Sequence, residues 1–366
     1  MQPNLIPAPD PNPLPAPFWL FKLLLVVTFF LHVLVMNTMF GGAFLALVAR
    51  WRASRDEYAG RLFLDLASKL PPLLAATITL GIAPLLFVQV LYGQFFYTSS
   101  ILMAWPWFLL LVCLVLAYYS FYCAAAPGPT EPARSGPVLL GAALLIAAIA
   151  FLQTTNATLS QTPAAWAAKY FSHPNGWNLN LSDPTLVPRL LHFLVAAVAV
   201  AGLALAAVAL RYWNSASDSG YARYAFRIGA RAFLFATMAQ FCFGLWFLAA
   251  LPPDQRMIFL GGDPLASACV GLGAAGAIGL IFAVSTALHT ETPHRVVYFA
   301  AGATAVVIFL MVVARDRLRD AALQPYFHPG QFAERTQFST LPLFLVLFGG
   351  GVALWVVMLR RFSRAH

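Results

Sequence analysis

Two histidines in apolar surroundings carry most of the chemistry this chain can offer. His192 lies a turn and a half into "DPTLVPRLLHFLVAAVAVAGLALAAVAL", residues 183 to 210, with Arg189 just before it. His32 lies in "FFLHVLVMNTMFGGAFLALVARW". Hydrocarbon penalises Arg, Lys or Asp at mid-helix by roughly 2.5–3.5 kcal/mol, so ionisable side chains there need something to offset the cost. A neutral imidazole meets that need in two ways. It can hydrogen-bond a backbone carbonyl, or it can ligate iron through one nitrogen while the other is hydrogen-bonded. Arg189 either pairs with an anionic group or snorkels to the interface.

The elements that must hold these residues are membrane spans. The chain has 366 residues, 61% hydrophobic and 10% charged, with a mean hydropathy of +0.77. A spanning helix needs about 20 apolar residues. Nine segments qualify, at about 18–50, 71–93, 101–124, 137–157, 185–212, 228–250, 264–289, 295–315 and 340–359. The predicted fold is therefore an all-α polytopic bundle. It forms one transmembrane domain, residues 18–366, behind an extended proline-rich arm, residues 1–17, that lacks the basic start of a signal peptide. The longest loops fall at about 158–184 and 316–339.

Lys and Arg placement orients the bundle. With the N-terminus outside, the inner loops and C-terminus hold Arg50, Arg52, Arg55, Arg61, Lys69, Arg134, Arg211, Arg223, Arg227, Arg231, Arg295, Arg360, Arg361 and Arg364, which is 14 of the 22 basic residues. The formal charge of +9 is then a topology signal and an attraction for anionic lipid headgroups, not a nucleic-acid footprint. The first and fifth spans enter from outside, which puts His32 and His192 at outer depth. Ala196, Ala199 and Gly202 lie near the face below His192, and Gly41 and Gly42 thin the first span inward of His32. Such small residues leave room for a flat macrocycle or let helices approach closely, and the sequence does not separate the two. None of Cys113, Cys123, Cys242 and Cys269 suggests a disulfide framework, and there is no CxxCH, so any haem must be held by side-chain ligands alone.

The order of local motifs resembles subunit I of the cytochrome bd quinol oxidases over residues 20 to about 250. "HVLVMNTMFGGAFLAL" is similar to the family's first-span run, in which the haem-ligating histidine is followed nine residues later by Gly and then by Ala-Phe-Leu. "GRLF" at 60–63 and "LGIAPLLFVQVLYG" at 80–93 resemble G-[KR]-L-F and L-G-V-A-T-G-x-x-x-E-F-Q-F-G. "FLQTTNATLSQTPAAW" is similar to the polar end of the fourth span, and "DPTLVPRLLHFLVAA" to N-P-x-x-x-x-[KR]-F-x-H. The resemblance implies haem b, one or two, with His32 as a haem-iron ligand of the oxygen-reducing pair and His192 as an axial ligand of a low-spin haem. It also implies Arg189 as a propionate partner, a quinone or quinol partner, and a second membrane subunit.

The departures are as informative. Gln89 stands where the family has a glutamate, and glutamine cannot titrate. "SSILMAWPWFLLLVCLVL" carries no carboxylate. The eighth span ends "FLMVVARDRLRDAAL" where the family has a glutamate before G-R-Q-P-W, with Arg315, Arg317 or Arg319 in place of the arginine. Cys269, in "ASACVGLGAAG", occupies the methionine ligand's position; a thiolate there lowers the haem potential, while a thiol is an apolar filler. Met238 or a partner's histidine is the alternative ligand. "LPPDQRMIFLGGDP" is far shorter than the family's quinol loop.

The remaining polar residues have ordinary readings. His289 and His294 flank a solvated turn, and His173 and His328 sit in outer loops as surface or partner contacts. Gln153 and Asn156 line an interface or meet a propionate. Trp105, Trp107, Trp166 and Trp177 fit an aromatic belt.

The expected function is a bd-like membrane cytochrome b subunit of a quinone-linked complex. It passes electrons between quinone and an outer-face partner such as a periplasmic c-type cytochrome, in a bacterial cytoplasmic membrane, without reducing oxygen. The alternative is a haem-free anchor. A transporter is weakest, since no matching half-repeats with broken helices are present.

Overall fold

In the computed structural model, residues 6–125 and 135–362 are described, with backbone alone for 359–362. Residues 1–5, Arg134 and Arg364 lie outside the described residues, and the side chains of Arg360 and Arg361 do too. The elements are α1 (Phe18–Arg52), α2 (Glu57–Leu102), α3 (Ala104–Ala125), α4 (Ser135–Ser160), the short α5 (Trp166–Ser172), α6 (Leu186–Ala209), α7 (Ser219–Ala250), the short α8 (Pro253–Met257), α9 (Pro264–Ala287), α10 (His294–Leu323) and α11 (Thr340–Phe362). Nine of these, among the described residues, are long and apolar enough to span a membrane. The chain is an all-α, multi-pass membrane protein.

Three helices run further than hydropathy predicts. α2 begins at Glu57 rather than near 71, because Asp56 caps it by accepting from the backbone N–H of Tyr58 and Ala59 at 3.0 and 3.3 Å. α7 begins at Ser219 rather than 228, and α10 continues to Leu323 through residues expected to lie in a loop. Backbone hydrogen bonding needs no apolar side chains, so a helix outlasts its hydrophobic stretch. α2 carries Pro71, Pro72 and Pro84 and is kinked at Tyr92 (φ −131°, ψ 28°). The arm docks on the α10–α11 connection: Leu14 N–H donates to Ala333 at 2.8 Å, Arg335 N–H donates to Leu14 at 2.8 Å, and the N–H of Phe18 donates to Glu334 Oε1 at 2.8 Å.

The small residues on α1 and α6 serve close helix packing. A Cβ on Gly41 would lie 2.0 Å from the Ala197 carbonyl oxygen and 2.7 Å from Ala201 Cβ. One on Gly202 would lie 2.7 Å from the Gly229 carbonyl oxygen, across the α6–α7 contact. These contacts leave no hollow for a planar group at Gly41 or Gly202, so that half of the sequence alternative is set aside. Overpacking costs about 1–3 kcal/mol when neighbours can shift, and a backbone carbonyl shifts only if the helix does. Gly41→Ala is therefore expected to lower the thermal stability of the detergent-solubilised protein. Gly42→Ala, whose Cβ would meet only Leu70 Cδ2 at 3.6 Å, should be neutral. Equal melting temperatures for the two variants would contradict the close α1–α6 approach.

Candidate haem-ligand site

His32 and His192 sit in the same local arrangement on different helix pairs. His32, on α1, donates from Nδ1 to the carbonyl of Thr77 on α2 at 3.0 Å, in the tautomer that geometry selects. Its ring packs on Gly81, where a Cβ would stand 3.0 Å from Cε1 and 3.1 Å from Nδ1. His192, on α6, packs on Gly244 of α7, where a Cβ would stand 3.3 Å from Cε1 and 3.5 Å from Nδ1. The Gln240 carbonyl, one helical turn before Gly244, is directed at this ring. That contact falls outside hydrogen-bond geometry, so Nδ1 of His192 is buried without a partner.

In each case a glycine on the neighbouring helix makes room for an imidazole, and the carbonyl four residues earlier faces it. A side chain at either glycine would press on the ring. Both residues are only half-buried. Among the described residues Nε2 of neither ring has a hydrogen bond, and neither Nε2 is fully covered. An imidazole whose Nε2 carries no hydrogen bond can serve as a ligand for a metal or an acceptor for a proton, and His32 is in addition oriented at Nδ1.

An arginine and a phenylalanine accompany each histidine. The Arg315 guanidinium, from α10, lies 4.3 Å over the Phe29 ring, whose centroid is 6.2 Å from that of His32. The Arg189 guanidinium lies 5.0 Å over Phe247, three residues beyond Gly244. Arg189 is 8% exposed, donates to Gln161 Oε1 at 3.2 Å and to Thr185 Oγ1 at 3.5 Å, and leaves Nε buried without a partner. Neither Arg189 nor Arg315 forms an ion pair among the described residues. The two are near enough to repel each other, and Arg315 also acts on His32. Asp183 acts on Arg189 and Asp316 on Arg315 only at longer range, and two buried cations that no carboxylate pairs directly favour an anion joining them.

In the layer above, by contrast, the charges are held in ion pairs, although Arg319 Nε is buried without a partner among the described residues. Lys22 Nζ pairs with Asp316 at 2.7 Å and Asp320 at 2.8 Å and donates to Tyr92 Oη at 2.6 Å. Tyr92 Oη donates to Asp320 at 2.7 Å, and Asp316 also pairs with Arg319, whose guanidinium lies 4.2 Å over the Tyr92 ring. Arg317 donates from Nε to Asp263 Oδ2 at 2.7 Å. Asp263 caps α9 by accepting from Ala266 N–H at 3.0 Å; that bond first, and Arg317 after it, hold its carboxyl below the usual range. The kink at Tyr92 is where α2 enters this network. The carboxylates of α10 are thus engaged by Lys22 and Arg319, while Arg315, adjacent in sequence, lies over Phe29 at the histidine level and forms no ion pair among the described residues.

The other predicted residues lie apart. Gln89 is half-buried, about two turns along α2 from Gly81, and its side chain makes no hydrogen bond among the described residues. Cys269 is 3% exposed on α9, and its thiol makes no hydrogen bond among the described residues, the environment of a small apolar side chain. Among the described residues no three His, Cys, Asp or Glu side chains cluster as a metal-ion site. Asn156 belongs to the α2–α4 contact, donating to Ser100 Oγ at 3.1 Å, and Trp166 donates to the Leu159 carbonyl at 2.8 Å. Sequence reading missed Thr77, Gly81, Gln240, Gly244, Phe29 and Phe247. The available signal was a lone glycine inside an apolar span at Gly81 and Gly244, which marks a close approach by something.

Comparison with known proteins agrees with the architecture alone. The sequence matches no protein-family model and no curated protein. Among solved structures, a chain of the bd oxidase from Geobacillus thermodenitrificans superposes with a TM-score of 0.71 at 14% identity, covering 94% of this chain and 98% of that one. The helical bundle is therefore bd-oxidase-like.

Proposed function

We propose that the chain is a bd-like membrane cytochrome b subunit. It binds one or two b haems through His192 and His32 and carries electrons between membrane quinone and a redox partner, such as a c-type cytochrome, at the outer face. The observation that carries this reading is the repeated arrangement of an imidazole packed on a neighbouring helix's glycine, with the carbonyl four residues earlier facing it, beside an arginine that forms no ion pair among the described residues. The residues fit haem: Nε2 of His32 and of His192 would hold its iron, and Arg189 and Arg315 would supply cations for its propionates. When bound, haem b would contribute a one-electron iron couple. The chain's own residues orient the imidazoles, neutralise the carboxylates and exclude water.

Gln89 cannot deliver protons where a titrating carboxylate would, and Asp316 and Asp320 are tied up by Lys22 and Arg319. Oxygen reduction is accordingly not part of the proposal. Cys269 enters it only as packing. The setting is a bacterial cytoplasmic membrane with the N-terminus outside, beside a second membrane subunit.

A reduced-minus-oxidised optical spectrum of the protein purified from haem-replete cells tests the reading, with a b-type α-band expected. A flat spectrum would leave the haem-free anchor, which the tight Gly41–Ala197 and Gly202–Gly229 contacts favour, as the better account. Robust quinol-driven oxygen consumption would overturn the exclusion drawn from Gln89.

A further inference from the structure

One face of α7 changes character at a single height. Its exposed positions recur at 223, 227, 231, 235, 238, 242 and 245, steps of three and four that keep to one side of a helix. Reading along that side gives Arg223, Arg227 and Arg231, then Phe235 (67% exposed), Met238, Cys242 and Leu245 (66% exposed). The opposite side, Ala222, Ala225, Phe226, Gly229, Ala230 and Phe233, is buried in the bundle.

Helix length places the change independently. α7 has 32 residues, about 48 Å, against a hydrocarbon core of about 30 Å. Counting about 30 Å back from Ala250 reaches Arg231, the residue at which the face stops being cationic. The apolar part faces acyl chains, so the three guanidiniums face the headgroup layer at successive steps of about 6 Å.

Nearby carboxylates do not neutralise them. Asp218 pairs with Arg61 at 2.7 Å, Asp65 accepts from Tyr221, and Asp56 caps α2. Arg223 lies over the Trp213 ring at 5.4 Å, which fixes it at the interface. Arg227 and Arg231 have no ion pair or hydrogen bond among the described residues.

We propose that this face is a binding site for an anionic phospholipid. Arg227 and Arg231 hold its phosphate, Arg223 flanks it from the water side, and the acyl chains run along Phe235, Met238 and Leu245. Guanidinium matches a phosphodiester in shape and charge, and the apolar continuation selects a lipid over free phosphate.

The test is native mass spectrometry of the full chain in detergent with equimolar phosphatidylglycerol and phosphatidylcholine. The wild type should retain phosphatidylglycerol selectively, and inorganic phosphate should not displace it. Loss of surface cations weakens anionic-lipid binding about fivefold each, so R227Q/R231Q should reduce retention about 25-fold. R55Q, an exposed arginine at the same end of the bundle, should leave it unchanged. Undiminished retention by R227Q/R231Q would overturn the proposal, as would equal retention of phosphatidylcholine or displacement by phosphate. A photo-crosslinker at position 227 that captures a protein subunit in the native membrane, rather than lipid, would overturn it as well.

Discussion

His192→Ala is expected to remove its haem and leave the fold standing. The imidazole makes no geometric hydrogen bond, and its buried Nδ1 is without a partner, so the bundle loses packing against Gly244 and little else. A ligand is different, because the iron bond cannot be replaced by neighbouring side chains. Removing even the groups that orient a metal-bound histidine typically costs 10–100-fold in affinity, so losing the ligand itself should lower haem content by at least about tenfold. The measurement is the pyridine-haemochrome ratio per chain, with the melting temperature of the same sample as a control for folding. Imidazole added to the medium should restore part of the α-band by filling the space the side chain vacated. Full haem content in the alanine variant would refute the assignment of His192, whatever the stability.

Asp316→Leu is expected to produce the opposite pattern, a large loss of stability. Asp316 is 8% exposed and is shared by Lys22 and Arg319 (6% exposed), with Arg315 next to it. Breaking a buried pair by removing one partner costs about 3–5 kcal/mol, because the remaining charge stays desolvated without compensation. Here two cations lose a shared anion at the junction of α1 and α10. Asp320 retains its bond to Lys22 at 2.8 Å and so limits the damage on that side. A fall in melting temperature of about 5 °C follows. Adding Lys22→Met to the leucine variant should recover part of it, since the second change removes a stranded charge. A leucine variant as stable as the wild type would mean that water, not Asp316, solvates these cations.

The sequence made the bundle legible because burial in lipid leaves a strong one-dimensional signal. Each apolar run of about 20 residues in the chain corresponds to a helix. Helix ends were less legible where charged residues continue a helix into water, as at Glu57–Leu70, Ser219–Arg227 and Asp316–Leu323. For the candidate site, His32, His192, Arg189 and Arg315 could be picked out because ionisable groups in apolar spans are conspicuous.

Their partners could not be picked out. Thr77 and Gln240 act through backbone carbonyls, which every residue has, and Gly81 and Gly244 act by lacking a side chain. The Lys22–Asp316 and Arg317–Asp263 pairs join residues 294 and 54 positions apart in sequence. No spacing rule connects them.

The amino-acid sequence by itself determined that this is a multi-pass helical membrane protein and which side chains carry the cost of burial there. Hydropathy and ionisation belong to single residues and survive any arrangement of the helices. Only the tertiary structure decided that Gly41 and Gly202 close helix contacts instead of opening a hollow. It also decided that both imidazoles lean on a neighbouring helix's glycine, and that Arg189 and Arg315 form no ion pair among the described residues while Asp316 and Asp320 are engaged one layer away. Those outcomes depend on which helix faces which and on the axial offset between them, and that offset is set by packing across residues far apart in the chain.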